Sequence, residues 1–389
     1  MSSVAIVGAG IAGLALAAAL DRRGIASAVF EQAGDLAGIG AGVQLAPNAS
    51  RLLHRLGLGA RLGAVAVRPA CTEFRRWADD SLIGRAPLGA ECERRFGAPY
   101  YTLHRRDLRD ALASLVPPGA IRLGARLVTV REEPARVVLG FADGSQRAAE
   151  LAVGADGIGS VVRSALAGDA PVFAGLGVYR GLAPAAALPE LAGPPAVRVW
   201  PGPGRHLVCY PVSAGQVISF AATVPCAVAG QESWTAEGSR QQLGLAFGGW
   251  NRTVRRLIAA APEVRLWALY DRDPLTRLAT SRVALVGDAA HPMLPFAAQG
   301  ANQAVEDAVA LAACLAARRG GPAGAGCRYD ECRRARTTRL QRQARRDIGG
   351  LHLPDGEVQR SRDRALGLPG DLSRQDWLYG HDAERACLR

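Results

Sequence analysis

Four apolar residues, Val4-Ala5-Ile6-Val7, run straight into Gly8, and helix-forming residues follow from Ile11 to Arg23. A second apolar run, Ala28-Val29-Phe30, ends on acidic Glu31. The two short apolar runs read as strands around a helix, so the chain opens as a βαβ unit. Leu108 to Leu115 reads as a helix stopped by Pro117-Pro118-Gly119. Val137 to Phe141 and Leu151 to Val153 are then expected as strands flanking the turn pair Asp143-Gly144. From Gly168 to Gly215 the pattern changes: Pro and Gly are dense, and short alternating segments such as Val197-Arg198-Val199-Trp200 and Leu207 to Tyr210 predict an antiparallel sheet. Val283-Ala284-Leu285-Val286 reads as another buried strand, ending in Gly287-Asp288. A helix is expected from about Ala301 to Arg319, with Gly320-Gly321-Pro322-Ala323-Gly324 as the break after it. Pro354-Asp355-Gly356 and Pro369-Gly370 cut the C-terminal stretch into short pieces, expected to pack over the rest. No internal repeat is visible.

The chain has 389 residues, enough for two domains or one large one with a core that needs no disulfide or metal staples. Its 47 basic residues outnumber 35 acidic ones, giving a net charge of +12, and every basic residue is arginine. The lack of lysine excludes pyridoxal Schiff bases, the phosphate-loop lysine and the kinase lysine. Positive charge raises nucleic acid or an anionic membrane as partners, but the arginines are scattered and aromatics are only 5%. The densest stretch, Arg318 to Arg346, reads as a solvated helix face, so neither partner is expected. Cysteines 71, 92, 209, 226, 314, 327, 332 and 387 form no CxxC and no metal-ligand spacing. The apolar run Val4 to Leu20 lacks a basic n-region, is interrupted by glycines and is short for a span. A soluble cytoplasmic protein, monomer or homodimer, is the expectation.

Gly8-Ala9-Gly10-Ile11-Ala12-Gly13 matches GxGxxG, yet with 46 glycines in 389 residues chance alone yields about 0.6 such matches. Context makes it specific: it follows a strand, opens a helix, and precedes a strand ending in Glu31. Gly8 would make the tight turn, Gly10 let the backbone approach a pyrophosphate, and Gly13 allow close helix–sheet packing, with Ala12 on the same loop. Glu31 would accept ribose hydroxyls and repel a 2′-phosphate, which leaves FAD or NAD.

Far downstream, Gly287-Asp288-Ala289-Ala290-His291-Pro292 leads to Ala298-Gln299-Gly300-Ala301-Asn302. This stretch resembles the flavoprotein aromatic hydroxylases, the single-component FAD monooxygenases, and in particular their salicylate hydroxylase-like and 6-hydroxynicotinate 3-monooxygenase-like branch. The resemblance implies that Asp288, after Gly287, meets the ribityl chain of FAD. It also implies that Gly300, Ala301 and Asn302 aim backbone N–H groups at the flavin N1–C2=O edge. Gly154-Ala155-Asp156-Gly157 is similar to the family's Asp-Gly motif beside the pyrophosphate, so Asp156 joins the cofactor set. So does Arg105 of Thr102-Leu103-His104-Arg105-Arg106, and Gln44 of the loop Gly40 to Asn48. Arg205-His206-Leu207-Val208-Cys209-Tyr210-Pro211 resembles a strand that presents residues to the aromatic ring. His206 and Tyr210 are therefore the candidate catalytic and substrate-binding pair, with Pro295 and Phe296 as further substrate contacts. Gln44 and Phe296 stand where the 6-hydroxynicotinate enzyme has histidines, which implies a less basic, more apolar pocket.

The implied fold is α/β: a Rossmann-like FAD-binding domain (1–70, 101–170 and 271–350), an inserted mixed or antiparallel substrate domain (71–100 and 171–270), and a helical C-terminal tail (351–389). The implied activity is hydroxylation of a small phenolic or hydroxy-heteroaromatic ring through a flavin C4a-hydroperoxide, with FAD as cofactor, NADH or NADPH and O2 as co-substrates, and no metal. A flavin dehydrogenase or epoxidase on the same scaffold is the alternative, and a basic nucleic-acid or membrane-surface binder a distant one.

Overall fold

A computed structural model describes residues 4–36, 41–226, 238–317, 321–368 and 370–388. Gly40, Arg318, Arg319, Gly320 and Pro369, all part of the expectations above, lie outside the described residues.

Strand β1 (Val4–Val7) is buried at every position and pairs in parallel with β2 (Ser27–Phe30) on one side and β11 (Leu151–Gly154) on the other. β7 (Ile121–Arg122) and β17 (Val283–Leu285) complete a parallel sheet of order β17-β11-β1-β2-β7. Helix α1 (Ile11–Asp21) buries Ile11 through Leu20 without a polar stripe, because it is enclosed between this sheet and other helices. Those neighbours are α5 (Arg105–Ala113) and α8 (Gly300–Ala316).

The seven-stranded sheet runs β16-β12-β15-β14-β13-β4-β5. Its strands are β4 (Cys71–Arg75), β5 (Leu82–Pro87), β12 (Val172–Pro184), β13 (Ala196–Gly202), β14 (Arg205–Val212), β15 (Val217–Pro225) and β16 (Val264–Asp271). All pairs are antiparallel except β13 with β4. Leu207, Cys209, Phe220 and Ala222 pack behind it with Leu243, Leu257 and Ile258 of α6 (Arg240–Ala246) and α7 (Arg252–Ala260). A short pair, β3 (Gly42–Leu45) with β6 (Tyr101–His104), lies against the opposite face. Helix α2 (Pro47–Arg55) packs against β3 and touches α3 (Gly59–Val65) and α4 (Gly89–Phe96).

Three expectations need correction. Asp143-Gly144 joins β9 (Val137–Phe141) to β10 (Gln146–Ala149), not to Leu151–Val153, which is β11 of the parallel sheet; β8 (Leu127–Glu132) completes that small sheet. The break after α8 is present but earlier, since α8 ends at Ala316 and Gly321 to Gly324 already open α9 (Gly321–Leu351), with Pro322 in the first turn, where its missing N–H costs nothing. Within the described residues the arginine-rich stretch lies on this helix, and it is not merely solvated. Arg333 is fully buried, pairing with Glu306 and with Asp307 (2.8 Å), while Arg336 donates to Glu306 (2.8 Å). The C-terminal pieces fold as α10 (Glu357–Gly367), α11 (Asp376–Tyr379) and α12 (Ala383–Leu388), clamped by Arg51 to His381 (2.8 Å) and Arg55 to Asp382 (2.6 Å). Among the described residues no helix is long and apolar enough to cross a membrane.

Candidate active site

The glycine-bearing loops leave the carboxyl ends of neighbouring parallel strands: Gly8–Gly13 after β1, Ala155–Gly159 after β11 and Gly287-Asp288 after β17. Motifs far apart in sequence therefore meet at the edge where doubly wound sheets bind ligands. Gly8 has φ +103°, and a Cβ there would stand 2.4 Å from the Ala155 carbonyl oxygen; one on Gly13 would stand 1.9 Å from the Gly8 carbonyl oxygen. A Cβ on Gly10 would meet nothing within 4 Å. Gly8 and Gly13 are thus dictated by the protein's own backbone, whereas Gly10 borders open space at the start of α1, where the first-turn N–H groups can receive a pyrophosphate. Ala12 packs against Gly287, whose added Cβ would lie 3.0 Å from it. The Glu31 carboxylate accepts from Ala9 N–H (2.7 Å) and Ala33 N–H (2.9 Å), which fixes it beside this loop. These residues fit a dinucleotide such as FAD.

Asp156 accepts from the Ser160 hydroxyl (2.5 Å) and from Val161 N–H (2.8 Å), so its carboxylate shapes its own loop; burial raises its pKa. Arg163, seven residues after Asp156 and bonded through its N–H to the Ser160 hydroxyl, donates to the carbonyls of Ala289 (3.0 Å) and Ala290 (2.8 Å), tying that loop to the Gly287 loop. Arg105 is turned inward, its pKa lowered by burial and offset by the charge of Asp288, while Arg106 is exposed. The start of α8 presents Gly300, Ala301 and Asn302, whose N–H groups have no intrahelical acceptor. The Asn302 side chain is spent on the chain beside it: it accepts from Ala46 N–H (2.8 Å) and donates to the carbonyls of Gln44 (3.0 Å) and Ala298 (2.8 Å). Sequence reasoning missed Asp307, which accepts from Gly287 N–H (2.8 Å) and pairs with His291 (2.6 Å). Burial would raise the Asp307 pKa, but His291 and Arg333 hold it below the usual carboxylate range.

Across from these loops, the face of the large sheet on which β3 lies carries His206, Val208 and Tyr210 on β14, Ser219, Ala221 and Thr223 on β15, and Val178, Arg180 and Leu182 on β12. Register sets His206 beside Thr223, Val208 beside Ala221 and Tyr210 beside Ser219. Gly42 of β3 approaches so closely that a Cβ would fall 2.5 Å from the Tyr210 ring. Gln44 accepts from the Tyr100 hydroxyl (2.7 Å) and hydrogen-bonds Tyr210, so its side chain lies on this side of the cleft. Phe296, in the turn Pro295–Ala297 just before α8, meets His206 edge-on with ring centroids 5.4 Å apart.

His206 is 4% exposed, and its Nδ1 lies 2.7 Å from Nε2 of His352 at the end of α9. Burial, then the neighbouring His352, push its pKa down to about 3. Burial likewise lowers His352 to about 4, so both rings are neutral near pH 7, one donating to the other. The His352 contact could not be read from sequence, since the two histidines come from distant elements. Arg180 was missed altogether: its guanidinium lies 4.7 Å over the Trp267 ring, and its Nε is buried without a hydrogen-bond partner among the described residues. The expectation of an apolar pocket therefore overlooked a cation in its floor.

A family model described as an FAD binding domain matches residues 1–344. The chain is 47% identical over 380 residues to a 3-amino-4-hydroxybenzoate 2-monooxygenase of Streptomyces cremeus, covering 98% of this chain and 95% of that one. The chain belongs to the FAD-dependent aromatic-ring monooxygenases. This monooxygenase is also 34% identical over 348 residues to a 6-hydroxynicotinate 3-monooxygenase of Bordetella bronchiseptica, covering 87% of this chain and 89% of that one. It superimposes on a salicylate hydroxylase substrate complex with a TM-score of 0.81 at 30% identity, covering 99% of this chain and 97% of that one. The enzyme uses FAD, consumes NAD(P)H and O2, and hydroxylates a small aromatic ring.

Proposed function

We propose that the substrate is an aminohydroxybenzoate of the 3-amino-4-hydroxybenzoate class, hydroxylated on the ring carbon between the carboxylate and the amino group. What supports this reading is near full-length identity, close to half of all positions, to a Streptomyces enzyme named for that reaction. Segments 1–70, 101–170 and 271–350 form the cofactor half in this reading, and 71–100 with 171–270 the substrate half. The placement of β4 and β5 beside β13 supports that division.

Bound FAD, reduced by NAD(P)H, supplies activated oxygen. The chain's residues hold, orient and shield. The loop Gly8 to Gly13 and the α1 N-terminus would take the pyrophosphate, and Glu31 the adenosine ribose, with Asp156 keeping the adjoining loop in place. Arg105 and Asp288 would flank the ribityl chain, and the N–H groups of Gly300, Ala301 and Asn302 would face the flavin N1–C2=O edge. Tyr210, held by Gln44, and His206, under Phe296, would meet the amino and hydroxyl edge of the ring. An amino group activates the carbon beside it, whereas a hydroxyl does little for a carbon meta to it. Neutral His206 would therefore accept a hydrogen bond from the amino group and raise the ring's nucleophilicity at the attacked carbon. Pro295 and Phe296 would help exclude water.

The test is NAD(P)H oxidation by the holoenzyme. It should be slow alone and accelerated by 3-amino-4-hydroxybenzoate more than by 3-hydroxybenzoate or 6-hydroxynicotinate, with one hydroxylated product. Preferred turnover of either of the latter would overturn the substrate assignment.

A further inference from the structure

We infer that Arg180 anchors the carboxylate of the substrate. The inference deepens the proposed function and rests on it for the kind of ring involved. Arg180 stands on β12 with Ala221 of β15 and Arg265 of β16 as its cross-strand partners, so the sheet gives it no negative neighbour. Beyond Ala221 the row continues to Val208. His206 and Tyr210 stand on either side of Val208, on the same face of the same strand. Arg180, His206 and Tyr210 thus frame a patch floored by the small side chains of Ala221 and Val208, with Phe296 at its His206 end.

The half-buried Arg180 lacks the counter-charge that enclosed guanidinium groups normally have. Its Nε is shut off from solvent and, among the described residues, has no hydrogen-bond partner; the ionisable groups that act on it are the neutral Tyr210 phenol and the Arg105 guanidinium, with no carboxylate among them. Arg105 differs, because Asp288 supplies it with a counter-charge. Burying a cation without a partner is costly, and the cost is relieved when a ligand brings the anion. The Trp267 ring supports the flat face of Arg180 and leaves its edge for a carboxylate, which can be held by paired N–H donors. A carboxylate at Arg180 directs the opposite edge of the ring towards His206 and Tyr210. That orientation distinguishes a benzoate from the matching phenol.

The test uses FAD-loaded wild type and the variants Arg180→Gln and Arg180→Lys. Dissociation constants are read from flavin absorbance for 3-amino-4-hydroxybenzoate and for 2-aminophenol, which lacks only the carboxylate. Arg180→Gln should weaken the carboxylated compound about 10- to 150-fold and leave 2-aminophenol within about 3-fold, with Arg180→Lys in between. Flavin content should stay at the wild-type level. Equal weakening of both compounds, or loss of FAD from folded Arg180→Gln, would overturn the inference; the latter would make Arg180 a cofactor ligand. The same titration with 3-hydroxybenzoate against phenol, and with 6-hydroxynicotinate against 2-hydroxypyridine, separates the two readings. If another carboxylated ring shows the same Arg180 dependence and is turned over in preference to 3-amino-4-hydroxybenzoate, the aminohydroxybenzoate assignment fails and the anchor stands. If no carboxylated ring binds the wild type more tightly than its partner, the anchor fails.

Discussion

Gly10 and Gly13 share one loop and are glycines for different reasons. A methyl on Gly13 would strike the Gly8 carbonyl, whereas one on Gly10 would enter space the protein leaves open. Gly10→Ala should therefore fold with a near wild-type melting temperature and lose FAD affinity by about tenfold or more, since about 1.4 kcal/mol of lost contact is enough. Gly13→Ala should lower the melting temperature even of the apoprotein; thermal melts with and without FAD separate the two. His206 gives a second test at this scale. Its folded pKa of about 3 lies below its ordinary 6.5, so the unfolded chain binds the proton more readily between those values. The stability His206 contributes is complete above pH 6.5 and is lost as pH falls towards 3, at about 1.4 kcal/mol per pH unit. His206→Gln should flatten the acid side of a stability-against-pH curve measured by denaturant unfolding, and an unchanged slope would contradict a buried neutral imidazole. The backbone constraints at Gly8 and Gly13 were legible because GxGxxG lies between a recognisable strand and helix. The His352 contact and the lone cation at Arg180 were not, because each depends on what a fold places, or fails to place, around a side chain.

Elements α8 and α9 are joined by charge as well as by packing. Arg333 meets Glu306 and Asp307 where all three are buried, and Asp307 in turn holds the Gly287 N–H and His291. Arg333→Met would leave two buried carboxylates short of counter-charge, at a cost of about 3–5 kcal/mol. Arg336 remains beside Glu306, so the lower end of that range is expected. Arg334→Met, which breaks an exposed pair with Asp330, should cost less than about 1 kcal/mol. Urea midpoints check the contrast, and Arg333→Met should also retain less FAD because the Gly287 loop loses its support. Apolar periodicity placed α8 to within a few residues, but α9 read as a solvated face because a charge pattern does not reveal which arginine points inward. The hairpin at Asp143-Gly144 was assigned the wrong second strand for a similar reason. Leu151–Gly154 and Gln146–Ala149 are both short, and only long-range pairing decides which one crosses to β1.

At the scale of the whole molecule, the proposed function sets two half-sites against each other, one at the carboxyl ends of β1, β11 and β17 and one on the face of the seven-stranded sheet that carries His206 and Tyr210. The first half was legible in sequence since each of its loops carries its own local glycine requirement. The second is assembled from strands whose alternation predicts a sheet but not the neighbours across it, so His206 and Tyr210 entered through resemblance and Arg180 only through structure. Both halves must act together for oxygen to reach a ring rather than escape as peroxide. The most direct measurement is turnover of 3-amino-4-hydroxybenzoate by the FAD-loaded enzyme with NAD(P)H under 18O2, followed by mass spectrometry of the product. The expected result is one hydroxylated product carrying a single 18O atom, formed in proportion to the NAD(P)H consumed. Label found only in peroxide, or a product whose new oxygen comes from water, would contradict the account.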